Sequence, residues 1–189
     1  ACFNYYARKS KTEIVSINGD YKNGESFQLT DSTGKSVGFL GSTVSYNPAI
    51  LQNGFDCIDK GIAMYPTRLD MRFGKVYMLG ETENFAAFAE TVVATVDYNF
   101  KVGHAWLWGN GEPLDNPQEF LLKAIQEYVT TIYNTGDDSL LIYMRQISEA
   151  VLKYHPDDVE SLDNVALTYL IAGDPDKALP YLLRAESVA

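Results

Sequence analysis

The triplet Gly34-Lys35-Ser36, preceded by Thr33, has the ending of a phosphate-binding loop, in which curled backbone amides and a lysine cradle phosphate. The full motif requires an earlier glycine at the position that Leu29 holds here. The flanks also read as a hairpin rather than as strand, loop and helix, so a polar turn is expected. His104 and His155 are the two histidines. Neither has a Cys, His or carboxylate at ligand spacing on its own element, as a zinc site has. His155 stands at a helix end, where a cation favours the local dipole. A Gly-x-Ser-x-Gly nucleophile elbow is absent. Asp137-Asp138 and Asp157-Asp158 stand where helices begin and read as caps. Cys2 and Cys57 are too few for a disulfide framework, and Cys57, on an apolar helix face, reads as a buried thiol. Neither a cofactor nor enzymatic activity is expected.

Two groups of side chains suit binding better than catalysis. Arg68, Arg72 and Lys75 recur at helical spacing and share a face, which suits an acidic segment or pairing with local acids such as Asp70 and Glu81. Trp106 and Trp108 flank Leu107 in a stretch rich in Gly, Asn and Pro. Loop aromatics of this kind anchor a ligand, here with His104 in a small pocket within residues 99–116. Alternatively they fold back over the groove between two helix pairs, and that is the expectation adopted.

The positioning elements are mostly helices. From Pro48 onward, apolar residues recur three and four apart. Helices are expected from Pro48 to Tyr65, from Pro66 to Gly80, from about Glu83, from Pro117 to Asn134, and after Asp137. The last two occupy Asp157 to Ala189. Leu162, Val165, Ala166, Tyr169 and Leu170 share a face of the first of these, with Asp157 or Asp158 as cap. Gly173 ends it, since glycine enters the left-handed cap at little cost. Asp174 caps the second, Pro175 opens it, and Ala178, Leu179, Leu182, Leu183 and Ala185 form its apolar stripe. Small residues at Ala166, Ala178 and Ala185 allow close backbone approach.

This last pair resembles the tetratricopeptide repeat, a helix–turn–helix unit of about 34 residues. Tyr169, Ala178 and Ala185 match the family pattern directly, while Leu162 stands where the family often has Trp. Gly54, Ile58, Gly61 and Pro66 repeat the second-helix spacing, as do Met144, Ser148, Val151 and Pro156. The resemblance extends over about residues 48–189 and is strongest in the last fifty. It implies a mainly α fold: an α-solenoid of about seven antiparallel helices stacked as hairpins. The chain is also similar to tetratricopeptide-type proteins of unassigned role from bacteria. The implied domains are an extension over 1–46, with β-hairpin character or as an extended arm, and a repeat domain over 47–189 that continues past the C-terminus.

The family's partner-binding face is concave and lined by the first helix of each pair. In the last pair that implies Glu160, Asp163, Asn164, Leu167 and Ile171. Some members clamp a partner's C-terminal carboxylate with Lys, Arg and Asn; Asn164 fits that role, but Asp163 and Leu167 depart from it. A basic or apolar segment is therefore the expected occupant. The function implied is a non-enzymatic scaffold binding a protein or peptide, with self-association possible through the open C-terminal edge. The alternative is a structural subunit of an envelope-associated assembly, with the N-terminal hairpin adding a strand to a neighbour.

Composition agrees with a globular fold: 46% of the 189 residues are hydrophobic. A net charge of −10 argues against nucleic acid and acidic membranes as partners. The charge is uneven, with residues 1–46 at +1, 47–136 at −5 and 137–189 at −6. In residues 1–46, strands are expected at Glu13–Ile17, at Ser26–Asp31 and around Val37 and Phe39, with turns at Asn18-Gly19, Asn23-Gly24 and Ser32-Thr33-Gly34. No stretch reaches the length of a membrane span. Ala1-Cys2-Phe3 reads equally as the residue of an export signal or the edge of a lipoprotein cysteine. Both a cytoplasmic and an envelope location stay open.

Overall fold

A computed structural model describes residues 1–18, 26–103 and 105–189. The turn expected at Asn23-Gly24, the glycine of Asn18-Gly19, and His104 lie outside these. Among the described residues the chain is mainly helical, with eight α-helices and a small antiparallel sheet. It divides into two units, residues 1–60 and 61–189.

The first unit opens with a helix that the sequence does not advertise, α1 (Cys2–Ser10). It has no acidic residue in its first turn and no side-chain cap. Tertiary contact holds it instead. A disulfide joins Cys2 to Cys57 on α2 (Pro48–Met64), which corrects the reading of Cys57 as a buried thiol. At Gly54 of α2 a Cβ would lie 3.3 Å from Tyr6 Cβ and 3.6 Å from Phe3, so glycine there permits the close approach of the two helices. These ties group the first part of α2 with the N-terminal residues. The division between the two units falls between Lys60 and Gly61.

Strand β1 (Lys11–Asn18) follows α1 directly, then come β2 (Ser26–Thr30) and β3 (Ser36–Tyr46). The order is β1-β3-β2, so β3 is central and the hairpin expected here is part of a three-stranded sheet. The β2–β3 turn is built by Asp31. Its Oδ1 accepts from the amides of Thr33 (2.8 Å) and Lys35 (3.0 Å) and from Thr33 Oγ1 (2.6 Å), and Gly34 takes φ +83°. The Gly-Lys-Ser triplet thus closes a hairpin. Asn47 Oδ1 then caps α2 by accepting from the Ile50 amide at 3.1 Å.

The second unit consists of helix hairpins: α3 (Leu69–Glu81) with α4 (Phe85–Lys101), α5 (Pro117–Tyr133) with α6 (Leu141–Leu152), and α7 (Val159–Ile171) with α8 (Pro175–Val188). Successive hairpins meet through α4 with α6 and α6 with α7. The caps at Asp158 and Asp174 follow the sequence reading, and Asn84 is a further one. Asp158 accepts from Ser161 N at 2.8 Å, Asp174 from Lys177 N at 3.4 Å, and Asn84 from Ala87 N at 3.3 Å. Gly173 takes φ +75°, and the Asp174 amide reaches back to Tyr169 O at 2.9 Å. The core includes Leu69, Val76, Phe88, Val92, Ile125, Ile132, Ile147, Leu162, Val165 and Ala166.

Ala178 and Ala185 are buried, as expected of small residues seating one helix on another. Leu179, Leu182 and Leu183, assigned to the same stripe, are exposed, as are Tyr77 and Leu170. Alanines seat α8 closely on α7, and the leucines of α8 are left exposed.

Ser148 of α6 is buried, and its hydroxyl makes no hydrogen bond. A buried hydroxyl without a partner costs about 1–3 kcal/mol. Ser148→Ala is therefore expected to raise stability by about 1 kcal/mol, read as a higher urea midpoint at unchanged slope.

Four carboxylates contribute to the acid sensitivity of the fold. Asp31 is held below the usual range by Thr33, Asp97 by Lys153, Asp137 by Ser139 and Asp174 by Lys177. A depressed folded-state value stabilises the protein above the ordinary carboxylate range, and that contribution disappears as pH falls through the lowered value. From these groups the urea midpoint should stay level from pH 8 to about 5 and fall below about pH 4.

Candidate functional site: a groove between two first helices

α5 and α7 are the first helices of successive hairpins, and a cleft of about 890 Å³ opens between their N-terminal halves. Pro117 starts α5 after Asn116, which sits in the left-handed region at φ +46°. From there Glu119, Leu122, Lys123, Gln126 and Glu127 face the cleft along α5, and Glu160 faces it from the first turn of α7. Three carboxylate groups surround one ammonium and an aliphatic side chain. Two of them, Glu119 and Glu160, stand in first turns, where the helix dipole favours negative charge.

Asn164 Nδ2 donates to Gln126 Oε1 at 2.7 Å and ties the two helices at the inner end of the cleft. The asparagine that matches a carboxylate clamp is thus engaged by a neighbouring side chain. Asp163 is exposed and Leu167 half-buried on the same stripe of α7. Ile171, one further turn along, borders a second hollow of about 320 Å³ with Tyr133, Asp137 and Leu141. The structure therefore brings Glu160 and Asn164 to one groove with α5, and leaves Ile171 at the other end of α7. Sequence reasoning missed the α5 wall. Its signal was present, because Glu119, Leu122, Lys123 and Gln126 recur at three and four along a first helix, as Glu160, Asp163, Asn164 and Leu167 do.

In the cationic trio, Arg68 and Arg72 are engaged within the fold. Arg68 grips the Asp70 carboxylate with Nε and Nη2, both at 2.7 Å. Arg72 is 8% exposed. Its guanidinium lies 4.5 Å from the Tyr98 ring and 5.5 Å from the Trp106 ring and donates weakly to Pro66 O, and burial pulls it below the usual arginine range. Lys75, on the same helix, is half-buried. Arg68 thus pairs with the local acid Asp70, one of the two readings the spacing allows, and packing removes Arg72 from the surface.

Residues 99–103 and 105–116 fold back, as expected. Trp106 is 1% exposed, and its Nε1 donates to Asn99 Oδ1 at 2.7 Å. Trp108, on strand β4 (Leu107–Trp108), packs on Phe73 of α3 and Phe120 of α5. β4 pairs with β5 (Glu112–Pro113), and the Leu107 amide donates to Thr67 O at 2.9 Å. Phe73 and Phe88 both pack on Tyr128, whose phenol burial pushes up. These contacts join the first two hairpins of this unit and commit both tryptophans to packing. Among the described residues, no three His, Cys, Asp or Glu side chains converge to hold a metal ion. No helix there is long and apolar enough to cross a membrane.

Compared with family models, curated proteins and solved structures, the chain matches none.

Proposed function

We propose that this chain is a non-enzymatic scaffold, a tetratricopeptide-type array of helix hairpins that holds a segment of a protein or peptide partner between α5 and α7. The observation that carries this reading is the cleft itself. It lies between first helices, it is concave, and it places Glu119, Glu127 and Glu160 around Leu122. Its volume falls in the range of ligand-holding clefts, about 300–1,000 Å³. A segment alternating Lys or Arg with aliphatic side chains satisfies both the carboxylates and the apolar floor, whereas an acidic segment or a C-terminal carboxylate meets repulsion. The Cys2–Cys57 disulfide supports an oxidising compartment as the setting, since such bonds persist there.

Selection from a random peptide library tests the reading. Enriched sequences should carry interspersed basic and aliphatic residues. A Glu119→Lys/Glu160→Lys double variant should bind them at least about tenfold more weakly, because each charge reversal replaces attraction by repulsion. Enrichment of acidic peptides, or binding indifferent to the double variant, contradicts it.

A further inference from the structure

The sheet of the first unit leaves its apolar face open. The register sets Ile17 and Phe27 on either side of Leu40, and the alternation of strands adds Val15, Leu29 and Val44 to the same face. Val15 and Ile17 are each 64% exposed and Phe27 73%. The opposite face carries Thr12, Ser16, Gln28, Thr43 and Ser45 together with Ile14 and Phe39, and the first face also holds Lys11, Glu13 and Ser42. The first face is thus the more apolar of the two, antiparallel sheets pack such a face against a cover, and a small sheet gains stability from it.

We propose that a second copy of this chain supplies the cover, the two sheets packing face to face through these six side chains. Two observations select this occupant. The first is charge. Residues 1–60 carry six Lys/Arg and six Asp/Glu, so the whole net charge of −10 lies on residues 61–189. Two copies meeting through the sheets bring neutral surfaces together, and a strongly charged partner finds no complement there. The second is area. The six side chains leave roughly 500 Å² open per copy, at the upper end of what monomers expose. Pairing two such faces buries about 1,000 Å², the threshold of a specific interface.

Light scattering on the full chain during size-exclusion chromatography should return a mass near twice 21.1 kDa. Phe27→Lys and, independently, Val15→Lys should weaken the pair at least about tenfold, as substitutions at an interface centre do. Leu179→Lys with Leu183→Lys, on the open edge of α8, should leave it intact. Amide exchange in residues 11–18 and 26–46 of the wild-type chain should slow as its concentration rises, a readout independent of how any variant folds. A monomer at every concentration overturns the proposal, and so does a dimer that survives Phe27→Lys but is lost with the α8 variant. Exchange in the sheet that ignores concentration overturns it as well.

Discussion

Trp106→Ala is expected to lower stability by about 4 kcal/mol, the range for truncating a large aromatic in a packed core. Three losses combine at this position. The indole is nearly inaccessible to solvent, so its removal opens a cavity lined by α3 and α4. Asn99, itself 2% exposed, loses the donor that satisfies its carbonyl oxygen. Arg72 loses one of the two rings that cover its guanidinium and is left with Tyr98. Trp106→Phe keeps most of the volume and removes only the N–H, so it should cost about 1–2 kcal/mol, the price of a buried acceptor left unpaired. Trp108→Ala, at a half-exposed ring, should cost less than Trp106→Ala. Urea unfolding of the three variants checks the order, and equal losses at the two tryptophans contradict the packing described.

Reducing the Cys2–Cys57 bond, or replacing both residues by serine, should destabilise residues 1–60 by about 2–4 kcal/mol, the usual effect of losing a bridge across a long loop. The loop here spans 55 residues. α1 depends on it more than the other helices do, because it lacks a side-chain cap and meets α2 through Phe3, Tyr6 and Gly54. Residues 61–189 contain no cysteine. Amide exchange with and without reductant should therefore show protection lost first in residues 2–10 and their neighbours in α2, and least in α7 and α8. Uniform loss across the chain contradicts this.

Much of the helical part was legible in the sequence because its signals are local. Pro117, Asp158, Gly173, Asp174 and Pro175 act on the turn in which they stand, and each occupies the role its chemistry suggests. What stayed hidden depends on partners distant in the chain. α1 is rich in aromatics and uncapped, and becomes helical against α2. The count of two cysteines gave no distance between them, and folding brings their Cα atoms to 6.0 Å. Arg72 has the spacing of a surface cation, but Tyr98 of the next helix and Trp106 beyond it close over the side chain. In the sheet, β1 pairs with β3 and not with its neighbour β2, a choice no turn motif encodes. At the groove, Glu160 and Asn164 were legible from helical spacing, while the α5 wall required knowing which helix lies beside α7.

The central claim, that a basic and aliphatic segment lies between α5 and α7, is tested most directly by an exchange footprint of the chain with such a peptide bound. Protection is predicted at residues 116–127 and 160–164, and it should disappear with Glu119→Lys/Glu160→Lys. Protection confined to α8 or to residues 1–60, with these two segments unchanged, would contradict the account.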